Sequence, residues 1–219
     1  MITLLISALM LQASANPPDA LPAPETVQTE PAPATLDRAA AIAGVNAYLN
    51  SITTLRAHFL QIAPDGSPSR GVLSMSRPGR LLFEYDDPSP IRVIADGTTV
   101  ALEDRDLETV DRAPLRSTPL WWLLKSDIDI ATDAEIVDIT SEHGFLSVMV
   151  RDPDGQMEGN IEFVFDEANY ELREWFVTDA LGEVTRVSLV ETEADVALNP
   201  RLFVIPDPNE GRDSRRGRR

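Results

Sequence analysis

Between Thr35 and Ile52 apolar side chains return every three to four positions, with Ile42, Val45, Leu49 and Ile52 on one stripe. This spacing predicts a helix, with Thr35 as its N-cap and Gly44 as a mild weak point. After Thr54 the repeat shortens to two. Leu55, Ala57 and Phe59 alternate with Arg56 and His58, as in a strand that buries one face. Pro64-Asp65-Gly66 turns the chain into a second strand over residues 70–76, and Pro78-Gly79 breaks it. Leu81, Phe83 and Tyr85 then alternate with Arg80, Leu82 and Glu84. Strands over 91–95 and 98–103 flank Asp96-Gly97, a dipeptide suited to a tight hairpin, and 107–112 closes this first region. Ser117 or Thr118 is a candidate cap for a short helix through Leu124 that opens on Pro119. Strands resume over 135–140, 145–150, 160–165, 170–178 and 184–190, and 202–205 adds a last one. The expected fold is mostly β with a few helices, an antiparallel meander of eleven or twelve strands.

The ends of the chain follow other rules. Residues 2–11 are apolar apart from Thr3 and Ser7, too short a run to span a bilayer, and Ala13-Ser14-Ala15 follows as a small-x-small cleavage pattern. A signal peptide over 1–15 is expected, although no Lys or Arg precedes the run. Residues 16–34 hold six of the 17 prolines and show no apolar period, as a linker does. The folded domain is expected over 35–206, and residues 207–219 form a basic tail with five arginines among the last nine positions.

Charge and composition remove whole classes of function. Acidic side chains outnumber Lys plus Arg by 36 to 19, and the first 210 residues alone carry a balance of −21. A nucleic-acid partner is excluded on that ground, because phosphate contacts need clustered cations. With no cysteine there is no disulfide, thiolate nucleophile or Cys-based zinc site. Only His58 and His143 are available as imidazoles. No phosphate-cradling glycine loop, nucleophile elbow or His-Glu-x-x-His occurs. Asp86-Asp87, Glu103-Asp104 and Asp127 with Asp129 imitate paired catalytic carboxylates, but all fall at turns or strand ends. The expectation is a protein that is not an enzyme and needs neither cofactor nor metal.

One ordered set of motifs is more specific. Phe59-Leu60-Gln61 precedes Gly71-Val72-Leu73, then Arg77-Pro78, then an aromatic strand ending Glu84-Tyr85, then Pro88 and the Asp96-Gly97 hairpin. Thr118-Pro119-Leu120, Asp179 with Gly182, and Phe203 with Pro206 follow in order. From about Leu36 to Pro206 the chain resembles the LolA family of periplasmic outer-membrane lipoprotein carriers. It departs at Leu82, where many relatives have Arg, and at Ala101 and Glu103, where relatives often carry Trp and Tyr.

The resemblance implies an open antiparallel half-barrel with helices covering its concave face, and a hydrophobic cavity between them for acyl chains. It places Arg77 as the lid or gate, hydrogen-bonded to helix and loop backbone; a guanidinium suits this because it offers five donors and stays charged. Phe59, Leu73, Met75, Leu81, Phe83, Tyr85, Trp121 and Trp122 are the cavity candidates, though plain core packing would place the same residues inside. Trp121 and Trp122 lie about 100° apart on a helix, so only one can enter the cavity. Implied partners are acylated lipoproteins, an inner-membrane lipoprotein-releasing ABC transporter and optionally an outer-membrane receptor, with the carrier acting as a monomer in the periplasm. The alternative is a periplasmic lipid- or lipoprotein-sensing regulatory module of the same fold. An acidic hydrolase using two carboxylates is the third.

Overall fold

The period-two segments become strands, and their burial follows the alternation. In the computed structural model, β1 (Thr54–Ile62), β2 (Pro68–Ser76), β3 (Arg80–Tyr85), β4 (Ile91–Asp96), β5 (Thr99–Asp104) and β6 (Thr109–Pro114) succeed one another through hairpins. β7 (Glu135–Glu142), β8 (Phe145–Arg151), β9 (Asn160–Asp166), β10 (Leu172–Thr178) and β11 (Val184–Ala194) form a second such run. The structure describes residues 36–155 and 159–207. The expected signal peptide and linker lie outside the described residues, as does the basic tail beyond Asp207.

All strands belong to one open antiparallel sheet in the order β6-β5-β4-β3-β2-β1-β11-β10-β9-β8-β7. The single meander expected from the sequence is therefore two meanders joined at a seam. There the first strand pairs with the last, Phe59 opposite Leu189 and Gln61 opposite Val187. Turn residues announce hairpins locally, whereas a pairing between strands so far apart leaves no local mark.

Helix α1 (Arg38–Ser51) lies on the inner face of the sheet and buries Ala41, Val45 and Leu49. Its cap is Asp37, not Thr35: the Asp37 carboxylate accepts from the amides of Ala39 and Ala40, both at 3.1 Å. Ala41 takes the place expected for Ile42, which is only half-buried. Gly44 is a packing requirement more than a weak point, because a methyl group there would come within 2.2 Å of the Tyr170 ring. Tyr48, one turn on, meets Phe165 edge to face.

The linking segment between the two meanders differs from expectation. A 3₁₀ turn over Leu115–Ser117 precedes a one-turn helix, α2 (Trp121–Leu124). Ser117 and Thr118 cap nothing; their hydroxyls donate backwards, to the carbonyls of Pro114 and Leu115. A second one-turn helix, α3 (Ile130–Asp133), had no signal in the periodicity, being too short to show one. Asp129 is its N-cap.

Residues 202–205 do not form the last strand. Pro200–Phe203 is a 3₁₀ turn capped by Asn199, and it lies against the outer face of β3 and β4. Phe203 packs there on Leu82 and Ile94, with Leu198 and Ile205 beside them. Leu82 thus sits in a second, small core, although the alternation of β3 placed it among the polar positions.

Candidate functional site

The inner face of β1–β3 divides into two parts. At one end Phe59 meets Phe83 and Tyr85 with ring centroids 5.0 and 5.1 Å apart, both edge to face, and Phe83 meets Trp175 at 6.4 Å. The Tyr85 hydroxyl donates to Gln61 at 2.8 Å. Rigid rings fill this end. Toward the other end of the same strands the side chains are Leu55, Leu73, Met75 and Leu81, and here a cavity of about 30 Å³ remains. That is room for roughly one water molecule.

Leu172, Trp175 and Leu189 complete the sheet wall of this cavity, while Tyr48 and Leu49 of α1, Ile52 at its C-cap and Leu123 of α2 roof it. Arg77 is the one charged side chain on its lining. Of the eight cavity candidates, Leu73, Met75 and Leu81 line it, and Phe59, Phe83 and Tyr85 form the adjacent aromatic cluster. Neither Trp121 nor Trp122 lines it. Trp122 is buried in the main core, and Trp121 is half-exposed beneath the Arg116 guanidinium, 4.6 Å from the ring centre. The two tryptophans do diverge, as their 100° separation requires, but the residue α2 turns toward the cavity is Leu123. A four-residue helix has too few turns for its phase to be read from sequence.

Arg77 joins the roof to the sheet. Its Nε donates to the Leu123 carbonyl of α2 at 2.8 Å, and a terminal nitrogen donates to the Leu49 carbonyl in the last turn of α1. Both acceptors are carbonyls that a helix end leaves without an intrahelical partner. Two neighbouring amides reinforce the grip: Arg77 N–H donates to Thr53 at 2.8 Å and Gly79 N–H to Leu124 at 2.7 Å. Gly79 has φ +75°, and a Cβ there would come within 2.6 Å of Gly97 in the facing hairpin. Burial pushes the Arg77 pKa down to about 10, so the guanidinium is still charged at neutral pH.

The roof is itself one hydrogen-bonded assembly. Asn46 and Asn50 project from one flank of α1, one turn apart. The Asn50 amide donates to the Ile128 carbonyl at 2.8 Å and accepts from Ile128 N–H at 2.9 Å. Asn46 donates to Asp129 at 3.0 Å and accepts from Ile130 N–H at 3.1 Å. Lys125, just after α2, pairs with Asp133 in α3. The asparagines escaped the sequence reading, although polar side chains four apart beside an apolar stripe were visible.

Three carboxylates of the sequence-predicted pairs have structural partners. Glu103 pairs with Arg92, Asp104 accepts from the amides of Asp106 and Leu107, and Asp129 caps α3. His58 lies on the exposed outer face of β1, 3.7 Å from Glu191, and His143 occupies a turn with φ +54°. No group of three or more His, Asp or Glu suited to a metal ion occurs among the described residues.

The family model described as outer membrane lipoprotein carrier protein LolA matches residues 50–206. The chain belongs to the LolA family. Among curated relatives, the outer-membrane lipoprotein carrier protein of Nitrosomonas europaea is 28% identical over 187 residues, covering 80% of this chain and 89% of that protein. Its counterpart in Pseudomonas aeruginosa is 30% identical over 185 residues, covering 78% and 86%. Among solved structures, a DUF1329 family protein from Desulfovibrio piger superposes with a TM-score of 0.50 at 8% identity, covering 76% of this chain and 96% of that one. At that identity the likeness is one of fold. The LolA match spans β1 to the Phe203 turn and so includes Arg77 and the sheet wall of the cavity, but only the C-terminal end of α1.

Proposed function

We propose that this protein is a periplasmic carrier that takes up the acyl chains of lipoproteins and moves them from the inner to the outer membrane. The observation that carries this reading is the apolar cavity beneath two helices whose ends are held by one arginine. Each acyl methylene gains roughly 0.8 kcal/mol on leaving water, so a carrier needs apolar walls and no reactive group. At about 30 Å³ the cavity is shut, and chains enter only when the roof lifts from β1–β3. The Arg77 bonds hold the empty state closed, and their rupture on loading stores a bias toward release. The supplier would be an inner-membrane lipoprotein-releasing ABC transporter, and the recipient the outer membrane or a receptor on it. Carriage needs one chain only, so the working form is taken to be a monomer.

Native mass spectrometry of the protein recovered from the periplasm of its source cells tests this. The expected result is a fraction carrying one acylated lipoprotein per chain, and extraction of radiolabelled lipoprotein from spheroplasts. Protein that is always empty and extracts nothing would overturn the reading in favour of a regulatory module.

A further inference from the structure

Helix α1 has two unlike flanks. On one, Asn46 and Asn50 are bonded to residues 128–130, and Arg77 holds the helix end. The other flank, beyond the Gly44–Tyr170 contact, borders an open cleft of about 340 Å³ between the last turn of α1 and the ends of β10 and β11. Tyr48 and Ile52 line both this cleft and the closed apolar cavity, so the two spaces share a border at these side chains. The change of chemistry across that partition is abrupt. Leucines, Met75 and Trp175, with Arg77 as the one charged group, lie on one side; Ser51, Asn169, Glu171, Thr192 and Asp195, with Ala194 the one apolar residue among them, lie on the other.

We propose that this cleft is the mouth of the cavity, and that its polar wall receives the polypeptide that follows the acylated residue of the cargo. The inference rests on the carrier reading above. An acylated protein is apolar at its chains and polar immediately beyond them, so the boundary between the two must lie where the cavity meets water. The Tyr48–Ile52 partition has that character. Tyr48 presents an apolar ring to Phe165 and a polar tip, and burial raises its pKa, so the hydroxyl keeps its proton. The cleft wall is rich in acceptors. Glu171 shares its charge with Arg173 at 3.2 Å, and Asp195 receives a long 3.5 Å contact from the Thr53 hydroxyl. Such a wall suits the successive N–H donors of an extended peptide. Tyr48 and Ile52 border both spaces on the flank opposite Asn46 and Asn50, so lifting the roof along this flank would join cleft and cavity while the asparagine bonds hold the far side.

The test places a photoreactive residue in the cleft and asks what it captures. Thr192→p-benzoylphenylalanine and Asn169→p-benzoylphenylalanine are compared with Leu102→p-benzoylphenylalanine, at an exposed site on β5. The probe is a synthetic lipopeptide: a tripalmitoylated cysteine followed by serine and a short run of lysines, biotinylated at its last lysine. Binding is measured separately, by displacement of a fluorescent fatty acid, and folding by thermal melting. With the chains inside, the peptide is held beside the cleft at high effective concentration, so capture there should exceed that at Leu102 by about tenfold. A peptide that binds but is captured equally at Leu102, or at neither cleft position, overturns the mouth and leaves the carrier intact. A peptide that does not displace the fatty acid from folded protein overturns both.

Discussion

The aromatic and aliphatic parts of the inner face rest on the same three strands, yet one is filled and the other hollow. Phe59, Phe83 and Tyr85 interlock edge to face, whereas Leu55, Leu73, Met75 and Leu81 leave a gap beneath the helices. Rings are rigid plates that tile against one another, while branched and thioether side chains meet imperfectly and can shift between rotamers. One end of the face thus acts as an anchor for the fold, and under the proposed carrier function the other is the part that deforms around a guest.

The largest expected effect comes from breaking the anchor. Phe59→Ala should cost about 3–5 kcal/mol in chemical denaturation, because a large, nearly fully buried ring is lost from a tiled cluster. The protein that stays folded should still bind lipopeptide. Leu73→Trp sharpens the contrast from the other side. Filling the hollow end should cost only about 1–3 kcal/mol of stability, yet abolish displacement of a fluorescent fatty acid. A Leu73→Trp protein that binds as well as the parent would place the acyl chains elsewhere.

Arg77→Leu acts on the boundary between roof and sheet. Cargo should load but be delivered poorly, because the empty closed state loses two bonds to helix carbonyls; equal delivery in a spheroplast-to-outer-membrane assay would remove Arg77 from the gate. Smaller still, Asn46→Ala with Asn50→Ala should cost about 1 kcal/mol per lost bond at most. Its signature is local: faster hydrogen exchange at the amides of Ile128 and Ile130, with the Phe59–Tyr85 end unchanged.

These two ends were unequally legible from sequence. The period-two spacing of Leu73, Met75, Leu81, Phe83 and Tyr85 placed all five on the inner face, since each strand has only two faces to choose from. It could not say which would touch one another and which would border a void, because that depends on α1 and on β10 and β11 arriving from elsewhere in the chain. Trp175 and Leu189 illustrate the gap, since both read as ordinary strand residues. Arg77 stood out through its motif, while its acceptors Leu49 and Leu123 supply only backbone oxygen and so leave no trace in residue identity. Leu82 failed for a different reason: the outer face of β3 is covered by the turn at Phe203, a cover that alternation within one strand does not register.

The seam between β1 and β11 also sets a clock. Hairpins within each meander can close as soon as their own residues are available, but Phe59 finds Leu189 only once the far end of the domain is present. A sheet completed by such a distant pairing belongs to the slow, high-contact-order regime of folding. Until that closure both meanders show their oily faces to water, so the newly made chain is itself a candidate for chaperoning before it can act on anything else.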